Sequence, residues 1–460
     1  MSSVNLEKIG FIQRCFSIVA SMVTNKKLGV TETKENLLRR VYLFDYQWIV
    51  ASNADCFWLF IFPTFCSVIL LSLYYILIHF FSIQSALALV VLACIFHFFI
   101  DTPHVFATYS RTYSDRSYCQ NYPAIIYGTF FILFIGPIFI SWHAIGGHID
   151  ETRVAMLGFM AIWSAYNTYH LIRQYWGISA IYSVKNEKDT STRIRWVDGF
   201  FLSTGMIYPL IHHIAMHTPI ISYASYFPIS EVIWNTMAIN FFKYGLLIYC
   251  LAYGFKNFKS ISSFAPFTKI LSFGFWGVGC FIKTMIYFSA ANIWNILNVL
   301  SGLLFFFSLV AFIFQYILAI KNEQKINIPK VISLIYAVAI SNVCYYFISD
   351  FFLCGVTTSS IHALQYLFIV YYYQKKQHQT SQNNPEPQKR FKRRNLNFIY
   401  VCVIIGSLWI PLDFYLSQVS NEIFHYYTLL LLGGIALHHY LLDSIIWKVR
   451  SKTGESEAKF

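Results

Sequence analysis

The sequence predicts an all-α, polytopic membrane protein with about 12 transmembrane helices and with both termini in the cytoplasm. Composition is the first observation behind this prediction, since 57% of the 460 residues are hydrophobic and only 12% are charged. Mean hydropathy is correspondingly high, at +0.52. The second observation is that several uncharged runs are longer than the roughly 18 residues that a membrane-spanning helix requires. The third is a regular alternation between connections rich in Lys and Arg and connections that almost lack them.

Apolar runs of about 20 residues place the predicted helices in chain order. They cover residues 57–81, 84–109, 123–142, 154–182, 197–217, 232–252, 270–288, 291–320, 331–349, 355–374, 397–417 and 423–447. The first ten spans lie within 56–374 and the last two within 397–449, separated by a basic, flexible cytoplasmic loop (375–396). A cytoplasmic or interfacial segment with an amphipathic helix (1–55) precedes the spans, and a cytoplasmic tail (450–460) follows them.

Most of the 34 Lys and Arg residues, including Lys325 and Lys330, lie in alternate connections, which the positive-inside rule assigns to the cytoplasm. This topology accounts for the net charge of +13, so we expect no nucleic-acid partner. The expected partners are membrane lipids and a small molecule in the lipid phase. The ten cysteines are scattered without a C-x-x-C pair, which predicts neither a disulfide framework nor a sulfur-ligated metal. Compact loops and the lack of an organellar targeting signal favour a bacterial inner membrane.

Histidines recur at one depth in the predicted spans. His170 lies about a dozen residues before the cytoplasmic end of the fourth span, and His362 has the corresponding position in the tenth. His438 and His439 lie slightly closer to the inner end of the twelfth. At 1.5 Å per residue, these side chains are about 13–18 Å from the inner boundary and close to the bilayer midplane. Ionisable residues are costly there, so each histidine is a candidate functional residue; the alternative is an interhelical hydrogen bond only.

A second tier of polar residues lies one helical turn closer to the cytoplasm. Arg173 and Gln365 each follow one of these histidines by three residues, and Asp443 follows His439 by four. These spacings place each pair on one helix face. We expect Asp443 to be a ligand or to orient one, whereas Arg173, Gln365 and the adjacent Tyr366 would support the ligands or contact a substrate.

The stretch "HFFIDTPH" adds two histidines and an aspartate at the end of the second span. If the helix ends there, Asp101 or Thr102 caps a new helix with Pro103 in its first turn. If it continues, His97 joins the midplane layer, and Asp101 and His104 lie one and two turns beneath it on the same face. We expect continuation, because the residues after the proline stay apolar and membrane helices tolerate a proline kink.

Neutral imidazole together with carboxylate suits iron, zinc, copper or manganese. The predicted ligands are His97, Asp101, His104, His170, His362, His438, His439 and Asp443. We expect non-haem iron, mononuclear or dinuclear, with zinc, copper and manganese as alternatives. In an apolar cavity such a metal could activate oxygen or water against a lipid-soluble substrate, which indicates a metal-dependent membrane oxidoreductase. In kind this resembles the histidine-rich membrane oxygenases and desaturases, although their dense H-x-x-x-H and H-x-x-H-H boxes are absent from the layer.

Two other classes of protein stay open on the sequence alone. Twelve spans with both termini inside are also common among transporters, whose midplane polar residues bind substrate or relay protons without any metal. The third class is a structural or assembly protein whose polar side chains only hold helices together.

Overall fold

The computed structural model describes residues 47–114, 149–186, 192–217, 231–257, 290–322, 326–380 and 422–446, with isolated positions between these ranges. Nine long helices fill these ranges, and no strand occurs in them. They are α1 (Ser52–His79), α2 (Ser85–Phe96, His97–Asp101 and Thr102–Ser114 in succession), α3 (Ile149–Lys185), α4 (Thr192–His217), α5 (Glu231–Asn257), α6 (Ala290–Lys321), α7 (Ile328–Phe347), α8 (Phe351–Thr380) and α9 (Glu422–Ile446). The all-helical fold class is therefore confirmed.

Five of these helices are long and apolar enough to cross a membrane. The candidate spans are Ser52–His79, Leu87–Tyr109, Trp294–Lys321, Ile328–Phe347 and Phe351–Tyr372. Large apolar side chains such as Phe65 and Phe307 are exposed on their outer faces, while many polar side chains are buried between helices. This distribution is the one expected of a helical bundle surrounded by lipid.

Several predictions fall on residues outside the described ranges. The predicted spans 123–142, 270–288 and 397–417 lie largely or wholly there, as do both termini and the predicted amphipathic helix. The count of 12 spans and the cytoplasmic orientation of the termini therefore stay predictions. One boundary differs within the described part, because α8 continues to Thr380, past the start of the predicted loop 375–396. Its last turns are rich in Gln and Lys, which favour helix.

The second span continues through its proline, as expected. The turn His97–Asp101 is π-helical, and regular α-helix follows it through Pro103. Proline has no N–H to donate, and its ring would clash with the carbonyl of the preceding α-helical turn. The extra residue of a π turn displaces the residues on its two sides by about 100° around the helix axis. His97 and His104 therefore do not share the face on which a regular helix would place them.

A buried ion pair joins α4 and α7. Nζ of Lys330 lies 2.9 Å from Oδ2 of Asp198, and each side chain is 2% exposed. Gln315 and Tyr316 of α6 donate hydrogen bonds to Oδ1 of the same carboxylate, at 2.7 and 3.2 Å. The charge pattern places Lys330 in the connection before the predicted span 331–349, whereas the structure places it, buried, inside the helix that begins at Ile328. The side chain of Asn327 caps α7 by accepting a hydrogen bond from the Lys330 backbone N–H, so Lys330 belongs to the first helical turn.

Four helices, α2, α3, α8 and α9, enclose the centre of the bundle. Both α2 and α3 pack against α8 and against α9. On the other side, α4 packs against α6 and α7, and α7 also packs against α3 and α8. Gly205 of α4 permits the approach to α7, since a Cβ there would lie 2.7 Å from the methyl carbons of Val338. The histidines predicted to lie near the midplane come from all four enclosing helices, with His97 on α2, His170 on α3, His362 on α8, and His438 and His439 on α9.

Candidate metal centre

Four buried histidines, one from each enclosing helix, meet inside the bundle. The Nε2 atoms of His104 on α2 and His439 on α9 are 2.9 Å apart. The centre of the His170 ring on α3 lies 5.1 Å from the centre of the His439 ring and 4.7 Å from the centre of the His362 ring on α8. Ligand nitrogens of His104, His170 and His439 all lie within 4.8 Å of one another. The structure thus forms a histidine cluster compatible with metal binding.

Asp443 of α9 adds a carboxylate to this cluster. Its Oδ2 lies 3.7 Å from Nε2 of His170 and 3.6 Å from Nε2 of His439. Its Oδ1 accepts hydrogen bonds from Oγ1 of Thr108 and from the hydroxyl of Tyr366, both at 2.7 Å. These two hydroxyls also lie 2.6 Å from each other. One carboxylate oxygen is therefore held by hydroxyls, and the other faces the imidazoles.

The rings of the cluster have unsatisfied hydrogen-bonding capacity. Nδ1 of His104, Nε2 of His170, Nδ1 of His439 and both ring nitrogens of His362 are buried without a hydrogen-bond partner among the described residues. Each such atom costs about 1–3 kcal/mol if nothing satisfies it, so proteins rarely concentrate them. Nε2 of His170 and the nitrogens of His362 are therefore open to a ligand. Nδ1 of His104 and Nδ1 of His439 lie across their rings from the close Nε2–Nε2 contact, so an ion bound at that contact would not satisfy them.

His438 is adjacent to His439 but faces a different direction. Its Nδ1 lies 3.0 Å from the hydroxyl of Tyr109, and its Nε2 lies 2.9 Å from Oγ1 of Thr129. Consecutive residues of an α-helix point about 100° apart, so only one of the two can face the cluster. The sequence predicts both as ligands, whereas the structure gives both nitrogens of His438 to other partners.

His97 and Asp101 form a separate pair beside the cluster. Nδ1 of His97 lies 3.0 Å from Oδ2 of Asp101, and the side chains are 39% and 34% exposed. Asp101 is near enough to interact electrostatically with His362 and Tyr440. No hydrogen bond found in the described ranges joins the pair to the four buried rings. The predicted ligands of "HFFIDTPH" are thus divided, with His104 in the cluster and the other two at its border.

The three residues predicted to support the site have different surroundings. Tyr366 holds Asp443, as described above. Gln365 instead donates a hydrogen bond to the backbone carbonyl of Leu59, which lies in a π-helical turn of α1. A π turn leaves carbonyls without their usual helical donor, so Gln365 joins α8 to α1. Arg173 is exposed on α3.

Two residues at the site were not identified from the sequence. Thr108 follows His104 by four residues, and this spacing places it on the same helix face as the histidine. The signal was therefore present in "HVFAT". The ring of Tyr440 stacks on that of His170 at 4.2 Å, and its hydroxyl donates to Asn167 at 2.8 Å. No spacing in the sequence indicates this contact, since it depends on how α9 packs against α3.

Comparison of the chain with protein-family models, curated protein sequences and solved structures found no match. A function is therefore inferred from the chemistry of the residues.

Proposed function

We propose that the protein is a metal-dependent membrane oxidoreductase that acts on a lipid-phase substrate. The metal would be held by His104, His170 and His439, together with Oδ2 of Asp443, and His362 would lie beside it as a further imidazole ligand. The observation that carries the proposal is the convergence of four buried imidazoles next to one carboxylate, with ligand nitrogens of three of them within 4.8 Å of one another. Nε2 of His170 and both ring nitrogens of His362 are buried there without a hydrogen-bond partner among the described residues.

The donor set bears on the choice of metal. The cluster offers imidazole nitrogens and one carboxylate, a set that suits iron, manganese or zinc. Iron is our first choice, because it would supply the redox chemistry that the proposed reaction requires.

The surroundings of the cluster support a substrate from the lipid phase. The ligands are buried between helices, and two of these helices, α2 and α8, contain candidate membrane spans with exposed apolar side chains such as Phe99 and Tyr371. A bound iron would supply oxygen-activating redox chemistry. The corresponding net reaction with dioxygen as oxidant would be hydroxylation, in which a C–H bond becomes C–OH and the second oxygen atom leaves as water. Two electrons from an external donor protein and two protons complete the balance.

The decisive experiment is elemental mass spectrometry of the protein purified in mild detergent, with an optical spectrum of the same sample. We expect about one equivalent of metal, and its loss in His439→Ala, because that change removes a central ligand. His438→Ala is the matched control, since the neighbouring ring has other partners for both nitrogens. Metal retained in folded His439→Ala protein, or a well-folded wild type without metal, would contradict the proposal.

A proton-coupled transporter is the second candidate function. The buried Lys330–Asp198 pair favours it, because ionisable residues inside a membrane bundle often mark substrate or proton paths. Proton-driven uptake by the metal-free protein in proteoliposomes would favour this function over the oxidoreductase, provided that the uptake is lost in Asp198→Asn.

A further inference from the structure

An ionisable pair lies exposed near the middle of a membrane span. His97 and Asp101 fall close to the centre of the span Leu87–Tyr109, and more than a third of each side chain is open to its surroundings. Ionisable side chains facing hydrocarbon are costly, so those that persist are functional candidates. Their mutual hydrogen bond uses Nδ1 of His97 and Oδ2 of Asp101. Nε2 of His97 and Oδ1 of Asp101 have no hydrogen-bond partner among the described residues and stay available to an outside molecule.

The π turn is what directs this pair outward. His97 and Asp101 are its first and last residues, and the N–H of Thr102 bonds to the carbonyl of His97, five residues earlier. Such turns inside α-helices are frequent at functional sites. His104, on the far side of the turn, is buried in the metal-binding cluster, whereas Phe99, within the turn, is 66% exposed. One short segment therefore presents a polar pair and an aromatic ring to the outside and a ligand to the inside.

The pair also adjoins the proposed metal centre. Asp101 interacts electrostatically with His362 and with Tyr440. The ring of His362 lies 4.8 Å from that of His104. A polar group bound by the pair would therefore place the chain attached to it beside the helix that carries His104, three residues after Asp101.

We propose that His97 and Asp101 bind the polar end of the substrate, and that the substrate is a long-chain alcohol. This inference rests on the proposed function and names its substrate class. Nδ1–H of His97 donates to Oδ2 of Asp101, so Nε2 of His97 and Oδ1 of Asp101 are both acceptors, and a hydroxyl group can donate to either of them. A fatty-acid carboxylate would be repelled by Asp101, and a plain hydrocarbon would leave the pair without partners. The apolar chain would lie against Phe99.

Photolabelling of the wild-type protein in phosphatidylcholine vesicles tests this proposal. The probes are a long-chain alcohol with a diazirine beside its hydroxyl, the same chain ending in a methyl group, and the same chain ending in a carboxylate. Labelled peptides are mapped by mass spectrometry. We expect the alcohol to label the α2 peptide about tenfold more than the methyl probe, as one charge-assisted hydrogen bond allows. The carboxylate probe should not exceed the methyl probe.

Three variants show whether the pair is responsible. His97→Ala and Asp101→Ala should each reduce labelling by the alcohol to the methyl level. His79→Ala should leave it unchanged, because His79 is an exposed histidine at the end of α1, where it stacks on Tyr75. Equal labelling by alcohol and methyl probes in the wild type, or stronger labelling by the carboxylate, would overturn the proposal.

Metal content of the same samples separates this inference from the proposed function. His97→Ala and Asp101→Ala should keep their metal, because neither residue belongs to the group of three close ligand nitrogens. Loss of metal in Asp101→Ala would show that the pair acts as part of the metal site and would overturn a separate recognition role. A metal-free wild type that still selects the alcohol would contradict the enzyme proposal and support the alcohol site.

Discussion

The hydroxyl of Tyr366 on α8 donates a 2.7 Å hydrogen bond to Oδ1 of Asp443 on α9. Thr108 on α2 donates to the same oxygen, also at 2.7 Å. Three helices are thus joined at one carboxylate oxygen, and the other oxygen, Oδ2, faces His170 and His439. In the proposed metal site, this arrangement would leave Oδ2 as the ligand oxygen and would set the direction in which it points.

Removal of the Tyr366 hydroxyl should weaken metal binding without removing a ligand. We expect Tyr366→Phe to lower metal affinity by about 10–100-fold, the usual effect of losing a group that orients a ligand. Competition with a chelator measures the affinity, and a shifted optical spectrum would show that the ligand geometry has changed.

Tyr440→Phe is the matched control for this experiment. Its ring also lies against the cluster, but its hydroxyl bonds Asn167 instead of the carboxylate. Thr108→Ser should retain affinity, because serine keeps the donor. Unchanged affinity and spectrum in both Tyr366→Phe and Thr108→Val would show that the hydroxyls do not orient Asp443.

Breaking the buried ion pair should destabilise the bundle. In Lys330→Ala, the carboxylate of Asp198 loses its cation at a site where each side chain is 2% exposed. An uncompensated buried charge costs about 3–5 kcal/mol, which we expect as a clear decrease in the melting temperature in detergent.

Two variants complete the test of the ion pair. Lys321→Ala, at the exposed end of α6, should melt like the wild type. The double variant Lys330→Met/Asp198→Leu should recover much of the stability, since apolar residues of similar size often replace a buried pair without loss. A melting temperature of Lys330→Ala equal to that of Lys321→Ala would refute the structural role of the pair.

The contact between α4 and α7 should not tolerate a side chain at Gly205. A Cβ there would lie 2.7 Å from the methyl carbons of Val338, closer than van der Waals contact allows. We expect Gly205→Ala to destabilise the protein by about 1–3 kcal/mol through overpacking. Gly177→Ala is the control, because nothing lies within 4 Å of its added Cβ and alanine favours helix. Thermal melting of both variants compares them, and equal melting temperatures would show that α4 and α7 can separate without cost.

The sequence by itself determined the helical, apolar character of the chain and the common level of three of its histidines within the bundle. Uncharged apolar runs are sufficient for the first, because a bilayer leaves an isolated segment few alternatives to helix. Depth follows from counting residues, since each adds 1.5 Å along the helix axis. His170, His362 and His439 could therefore be placed in one layer before their contacts were known, and all three belong to the cluster.

Only the tertiary structure decided which side chains face one another. His438 and His439 are adjacent in the sequence and share the same neighbouring residues along the chain. The rotation of α9 nevertheless directs His439 toward the cluster and His438 toward Tyr109 and Thr129. The π turn in α2 likewise separates His97 from His104, although a regular helix would align them. Rotation about a helix axis is set by packing against distant segments and by local changes in helical register. For that reason, spacing in the sequence placed His170, His362 and His439 at one level of the bundle, but it gave neither their partners nor the position of His104 among them.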